Sequence, residues 1–149
     1  MMEQTGARHP SLLYAIKQVE LAVRSHLDEL LKPSGVTALQ YTALTVLERR
    51  DDLTAAALAR NSFVKTQSMA DLVAALERQQ LVSRHVDAKD RRRFLIQLTP
   101  KGRKLIADHA SAVAELERRM TAGLATTQLD TMREALNTCR SNLGDAPAH

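Results

Sequence analysis

Apolar residues fall on a helical stripe almost from the start of the chain. From Leu12 they recur at 12, 13, 16, 19, 23, 27, 30 and 31. That spacing predicts an amphipathic helix of about five turns. Pro33-Ser34-Gly35 stops it. The ten residues before it, MMEQTGARHP, carry no periodicity. Thr37-Ala38-Leu39-Gln40 then reads as a capping box opening a second helix, with Val36 and Tyr41 at the flanking staple positions. Arg49-Arg50-Asp51-Asp52 interrupts the pattern. Thr54 caps a short third helix, from Ala55 to about Arg60, and Asn61-Ser62-Phe63-Val64 reads as a tight turn. A longer helix follows, from Thr66 to about Gln79, with Met69, Leu72, Val73 and Leu76 at i, i+3, i+4 and i+7.

The period then changes. Leu81 to His85 and Phe94 to Leu98 are short, partly alternating and rich in strand formers. The polar segment between them, Val86-Asp87-Ala88-Lys89-Asp90-Arg91-Arg92-Arg93, reads as a hairpin tip. Thr99 is placed to cap the next helix, with Pro100 at its first position, where a missing amide costs nothing. That helix runs to about Met120. Thr126 is placed to cap a last one, whose stripe of Leu129, Met132, Leu136, Cys139 and Leu143 makes a narrow, coiled-coil-like seam. Residues 144–149 read as a loose tail. There is no internal repeat.

Composition supports a mostly helical chain: Leu and Ala supply 44 of 149 residues, and only nine are Gly or Pro. The length suits a single domain, 1–149. The longest apolar runs, Leu12–Ile16 among them, are five residues, too short for a membrane span or a secretory signal. A cytoplasmic protein with no membrane partner is therefore expected. One cysteine excludes a disulfide framework, and 3% aromatic residues argue against single-strand or RNA binding, which needs stacking platforms. The net charge of +4 hides an asymmetry. Residues 60–104 carry eleven Lys or Arg against four acids, a local +7, and the rest of the chain is −3. Charge of this kind suits a polyanionic partner and is equally the mark of a solvated surface.

The order of elements decides between those readings. A short helix, a turn, a longer helix and a hairpin with a basic tip describe a winged helix-turn-helix, mainly α with a small β wing. In such a unit the second helix enters the major groove. With the apolar stripe buried, Gln67, Asp71, Ala74 and Arg78 face outward, Ser68 is lateral, and Lys65 and Thr66 sit at the N-terminus. Gln pairs with adenine and Asp accepts from the cytosine amino group. Lys65 with the helix N-terminus suits a phosphate.

The stretch Asp90-Arg91-Arg92, followed by Leu95, Leu98-Thr99 and Gly102, resembles the wing signature of the MarR (multiple antibiotic resistance regulator) family: Asp-x-Arg, then Leu-Thr-x-x-Gly. Leu53 to Ala59 and Leu72 to Glu77 resemble that family's two helix-turn-helix helices, and the likeness extends from about Leu12 to Leu143. It implies a wing arginine, Arg92, in the minor groove, where a narrow groove concentrates negative potential. It also implies an aspartate, Asp90, that holds the arginine in place. On an extended segment, a carboxylate two residues earlier lies on the same face. Lys89, Arg91, Arg93 and Arg84 are then backbone contacts or make none. The resemblance further implies a homodimer built from residues 11–33 and 104–143 around a DNA-binding lobe at 37–103, with the wing at about 82–98. Its partner would be a pseudo-palindromic duplex with half-sites one helical turn, ~10 bp, apart. A nucleoid-associated repressor is implied, released by a small aromatic or anionic effector bound near the junction of dimer helices and DNA-binding lobe. No effector-binding residue is assigned.

Two positions depart from the family pattern. A glycine usually precedes the leucine that opens the wing, and here that position is Gln80. A left-handed Gln costs about 1 kcal/mol, so a different helix end is expected. Asp71 stands where a basic residue is common, which points to a distinct base preference involving cytosine.

The remaining candidates read as structural. Cys139 lies on an apolar stripe and suits packing, and Met69 suits the core. His85-x-Asp87 and Asp108-His109 supply too few convergent ligands for a metal. No Gly-rich phosphate loop, nucleophile elbow or carboxylate–histidine cluster is present, so neither catalysis nor a cofactor is expected. Two other functions stay open at this point: an architectural DNA binder without an effector, and a winged-helix module that docks a protein.

Overall fold

The structure is a computed structural model of the chain and describes residues 8–62 and 64–144. The chain divides into two compact units, Met1–Ala38 and Leu39–His149.

In the first unit, α1 spans Leu12–Leu31. Ser11 caps it, its Oγ accepting from the Tyr14 amide at 3.1 Å. On its polar side Arg24 donates twice to the Glu20 carboxylate, an i, i+4 pair. Leu31 is wholly buried, yet the apolar stripe before it lies open, with Leu12 and Leu13 each 80% exposed and Ile16 and Val19 near half. A 3₁₀ turn at Lys32–Ser34 ends at Gly35, whose φ of +80° needs no Cβ relief. The next helix, α2 (Ala38–Arg49), opens where the capping box predicts. Its first amide also gains an acceptor from ten residues upstream: Asp28 Oδ1 takes the Ala38 N–H at 2.6 Å.

In the second unit, α2 buries Tyr41, Ala43, Leu44, Val46 and Leu47. Helix α3 spans Ala55–Ser62 behind Thr54, whose Oγ1 accepts from the Ala57 amide at 3.2 Å. Asn61 and Ser62 therefore belong to the helix, not to the turn expected there. Asn61 accounts for the extension. Its side-chain amide donates to Ala57 O at 2.7 Å and its carbonyl takes Arg50 Nη1 at 3.1 Å. Helix α4 spans Thr66–Arg78 and buries Met69, Val73 and Leu76, so the predicted stripe is the core face and Met69 is a core residue.

Strands β1 (Val82–Val86) and β2 (Phe94–Leu98) pair antiparallel in the register Val82 with Leu98 through Val86 with Phe94. Val86 belongs to the strand, not the tip, and Leu81 lies outside the strand, in the turn that follows α4. Leu53 joins the sheet by one bridge, its carbonyl accepting from Ile96 N at 2.8 Å. Val82, Ile96 and Leu98 alternate onto the buried face. Helix α5 (Pro100–Met120) starts as predicted, Thr99 Oγ1 accepting from the Gly102 amide at 3.0 Å. A Cβ on Gly102 would meet the Leu81 carbonyl oxygen and, at 2.7 Å, Leu98 Cδ1. Only glycine lets the first turn of α5 lie this close to the wing base.

Helix α6 spans Thr126–Leu143, and its cap is Ala125 rather than the expected Thr126. Alanine has no side-chain acceptor, and half a capping box forms instead: Gln128 Oε1 takes the Ala125 N–H at 2.8 Å. No described residue of α6 is buried. Met132, Leu136 and Leu143 are 40%, 48% and 81% exposed, and Cys139 is exposed with them. The packing expected of Cys139 is thus not supplied by the described residues. Among the described residues no helix is long and apolar enough to cross a membrane.

Candidate nucleic-acid interface

The outer face of α4 is the first component. Burial of Met69, Val73 and Leu76 turns Gln67, Asp71 and Arg78 outward, and all three are exposed. Lys65, Thr66 and Ser68 are exposed around the helix start. The Lys65 carbonyl accepts from the Ser68 and Met69 amides, both at 3.0 Å, so Lys65 is itself the cap residue. Its side chain makes no capping bond. Ala70 is exposed as well, leaving a low ridge between Gln67 and Asp71 over which another backbone can come close.

The second component is the wing tip, and it is more ordered than its composition suggests. Two Asx turns follow one another. Asp87 Oδ1 accepts from the Lys89 amide at 2.9 Å, and Asp90 Oδ1 from the Arg92 amide at 3.1 Å. Backbone bonds from Asp90 N to Asp87 O (3.2 Å) and from Arg93 N to Asp90 O (2.9 Å) close both turns. Asp87 N donates to Arg93 O at 2.9 Å and shuts the loop onto the strands. Asp90-Arg91-Arg92 is therefore a turn, not the extended segment expected. The physical link between residues 90 and 92 survives in another form. Arg92 Nε also donates to Asp90 Oδ1, at 3.2 Å, so one carboxylate oxygen holds both the backbone and the side chain of the arginine. The Arg92 side chain is 91% exposed beyond that anchor. This pairing holds the Asp90 carboxyl below the usual carboxylate range, first through the Arg92 side chain and then through its amide. Lys89, Arg91 and Arg93 are exposed on the same loop. Arg93 Nε approaches Asp87 Oδ2 at 3.6 Å.

The sequence marks Asp87 only as a possible metal partner of His85, whereas in the structure it organises the loop and is nearly buried. Its signal was local: an aspartate opening a polar tip two residues before a backbone donor.

The base of the wing holds the remaining charged groups. Arg84 Nη2 donates to Glu77 Oε1 of α4 at 2.8 Å, and its guanidinium lies 5.8 Å from the Phe94 ring centroid. His85 Nε2 lies 3.0 Å from Asp52 Oδ1, and Asp52 carries a left-handed backbone at φ +59°. Arg103 Nη2 contacts Asp51 Oδ1 at 3.4 Å. His109 Nδ1 lies 2.8 Å from the Leu105 carbonyl, and Asp108 pairs with Lys104. Among the described residues no group of three His, Cys, Asp or Glu is placed to hold a metal ion.

Between the two components the chain turns on Gln80. Leu81 N donates to Leu76 O at 3.0 Å and Gln80 N to Glu77 O at 2.9 Å, the two bonds of a Schellman motif. Gln80 stands at its left-handed position, with φ +64°. The departure from glycine therefore does not give a different helix end. The first turn of α5 reinforces the corner: Thr99 Oγ1 donates to Gln80 O at 2.7 Å and Lys101 Nζ to Gln79 O at 2.9 Å.

A helix with an open polar face, followed by a hairpin whose tip presents an anchored arginine, defines a winged helix-turn-helix DNA-binding transcription regulator. Comparison with known proteins agrees. The MarR family's sequence model matches residues 34–93. The HTH-type transcriptional regulator YhbI of Bacillus subtilis is 30% identical over 72% of this chain and 70% of its own. The chain belongs to the MarR family, whose members are transcription regulators rather than enzymes. Among solved structures, the Staphylococcus aureus MepR–DNA complex is similar with a TM-score of 0.81 and 27% identity, over 91% of this chain and all of that one. CouR of Rhodococcus jostii bound to p-coumaroyl-CoA has a TM-score of 0.77 and 26% identity, over 86% of this chain and 90% of that one.

Proposed function

We propose that the protein is a homodimeric repressor that binds a pseudo-palindromic operator and is released by a small organic effector. The observation that carries the reading is Arg92: a guanidinium 91% exposed, aimed by an aspartate that holds its backbone and side chain together. Pre-ordering removes part of the entropy cost of inserting a long side chain into a minor groove. Gln67 and Asp71 on α4 read base edges, with Asp71 favouring a cytosine amino group. Lys65, Thr66, Ser68, Arg78, Lys89, Arg91 and Arg93 lie toward phosphates and set the register.

The dimer reading rests on apolar surface. Among the described residues, the stripe of α1 and the seam of α6 each carry large apolar side chains that stand exposed. Monomeric proteins seldom leave contiguous apolar surface of this kind open. Residues 11–33 and 104–143 are the dimerisation segments in this reading, and 37–103 the DNA-binding lobe. A second copy would bury Cys139. Repression follows from occupancy, since a dimer spanning two half-sites excludes other proteins from that duplex. Effector release is supported by the relative CouR, which binds p-coumaroyl-CoA. The effector class here is a small aromatic or anionic compound, and the site of action is the nucleoid.

Selection of random duplex DNA by the purified protein at physiological salt tests the reading, with sedimentation to count copies. An enriched pseudo-palindrome bound by two copies is expected, and Gln67→Ala should relax preference at one base pair per half-site. Retention of every duplex alike would refute specific reading. An effector screen against the selected duplex then tests release.

A further inference from the structure

We propose that Glu77 and Arg84 form a brace that sets the pitch of the wing against α4, so that Arg84 is a positioning residue for DNA reading and not a phosphate ligand. The proposal rests on the DNA-reading function above and concerns how its two contact elements are held at a fixed angle.

The geometry is specific. Glu77 is the penultimate residue of α4, and Arg84 is the third residue of β1. Between them lie only the C-terminal turn and the left-handed corner at Gln80. Rotation about that corner would swing the hairpin relative to the helix. Arg84 Nη2 spans it, donating to Glu77 Oε1 at 2.8 Å. The same guanidinium lies over Phe94, 5.8 Å from the ring centroid, so it is held from the β2 side as well. Two anchors are thus used on one planar group, a carboxylate on the helix and a ring on the partner strand. Lysine could not hold both.

The opposite face of β1 is tied too. Side chains alternate along a strand, so His85 points away from Arg84. Its Nε2 lies 3.0 Å from Asp52 Oδ1, on the loop that bridges to β2 through Leu53 and Ile96. The hairpin is therefore gripped from both faces at adjacent residues. At its far end Lys89, Arg91 and Arg92 are exposed, and among the described residues the hydrogen bonds that Lys89 and Arg92 make stay within the loop. A rotation at the base is multiplied at the tip, so a weak, half-exposed ion pair affects reading more than it affects stability.

Brace and phosphate ligand predict opposite signs for one change. If Arg84 bound phosphate, Glu77→Gln would remove a nearby negative charge and tighten binding to all duplexes. If the pair is a brace, Glu77→Gln loosens the wing and weakens binding to the selected duplex alone. Full-length wild type, E77Q, R84Q and the exchange E77R/R84E are compared on a selected and an unrelated duplex across a salt series. Residual dipolar couplings of amides 82–98 and 66–78 are measured on the free proteins. The brace predicts about a five- to tenfold loss on the selected duplex for each single variant. It also predicts unchanged affinity for the unrelated duplex, an unchanged salt slope for E77Q and R84Q, and recovery in the exchange. Wing couplings should shrink relative to those of α4 in both single variants.

A salt slope reduced by about one in R84Q, with equal loss on every duplex, would overturn the proposal. So would tighter binding by E77Q, or wing couplings unchanged by both variants. The couplings need no DNA. If wild type prefers no duplex, the operator reading fails while the couplings still decide the brace.

Discussion

Gln80→Gly should stabilise the protein, and the size of the effect follows from its surroundings. Gln80 occupies the left-handed position of the α4 C-terminal motif at φ +64°. A side chain there meets its own backbone, at a cost of about 1–2 kcal/mol that glycine avoids. Nothing visible offsets that cost through the side chain, which is exposed. The bonds at this corner are made by backbone atoms: Gln80 N to Glu77 O, Leu81 N to Leu76 O, and the Gln80 carbonyl receiving Thr99 Oγ1. All three survive in glycine. Against the relief stands the greater freedom of glycine in the unfolded chain, about 0.4–1 kcal/mol. The net expectation is a gain of about 0.5–1 kcal/mol. Urea unfolding at fixed protein concentration should move the midpoint upward with the slope unchanged. In a thermal scan the shift is about 2–4 °C per kcal/mol for a chain of this size. Gln80→Ala serves as the control. It keeps the strain and should be near neutral, so a gain seen only with glycine isolates the backbone term. Equal or lower stability in Gln80→Gly, with Gln80→Ala unchanged, would refute a strained left-handed corner.

Gly102→Ala should lose about 1–3 kcal/mol in the same assay, because its Cβ would run into the Leu81 carbonyl and Leu98; a neutral result would mean α5 does not approach the wing base closely. Among the described residues Ser62 Oγ is wholly buried and finds no hydrogen-bond partner. Ser62→Ala should therefore gain up to about 1 kcal/mol, and a loss of that size would point to a partner for the hydroxyl. Arg92→Ala should weaken binding to the selected duplex while leaving helicity and copy number as in wild type; unchanged affinity would remove the wing arginine from the reading. The Asp90 carboxyl is held below its ordinary value in the folded chain. Its contribution to wing order is then complete above the unfolded value, about 4, and lost as pH falls through the folded value. A carbon-detected titration should place the Asp90 midpoint below that of exposed aspartates, and Arg92→Ala should raise it; an ordinary midpoint in wild type would show the pair is not formed.

Most of the helical framework was legible in the order of residues. Apolar positions at 69, 72, 73 and 76 were enough to assign the buried side of α4, and hence its outward face. Thr99 followed by Pro100 marked the start of α5, because a cap and a missing amide act within one turn. Alternation and β-branching marked the hairpin, and the acidic and basic residues of its tip marked the wing. These are signals carried by residues no more than four apart, where the chain's own geometry brings them together.

Other features depended on parts of the chain that sequence separation hides. Asn61 extends α3 by reaching Ala57 and receiving Arg50. Asp28 supplies an acceptor to an amide ten residues on. Leu53 joins β2, and Asp52 meets His85 across 33 residues. Gln80 is the sharpest case. Its own preference is against φ +64°, and residue-level reasoning expected the helix to end otherwise. The corner forms because Leu76 and Leu81 are both buried on either side of it, and because Thr99 and Lys101 take the freed carbonyls. Burial of two leucines and two added hydrogen bonds outweigh a local strain of about 1–2 kcal/mol. Periodicity and caps thus determined which segments are helix, strand and wing, since those choices are settled locally. Tertiary structure alone decided how the wing meets α4, since that angle is set by contacts between segments whose strength exceeds any one residue's backbone preference.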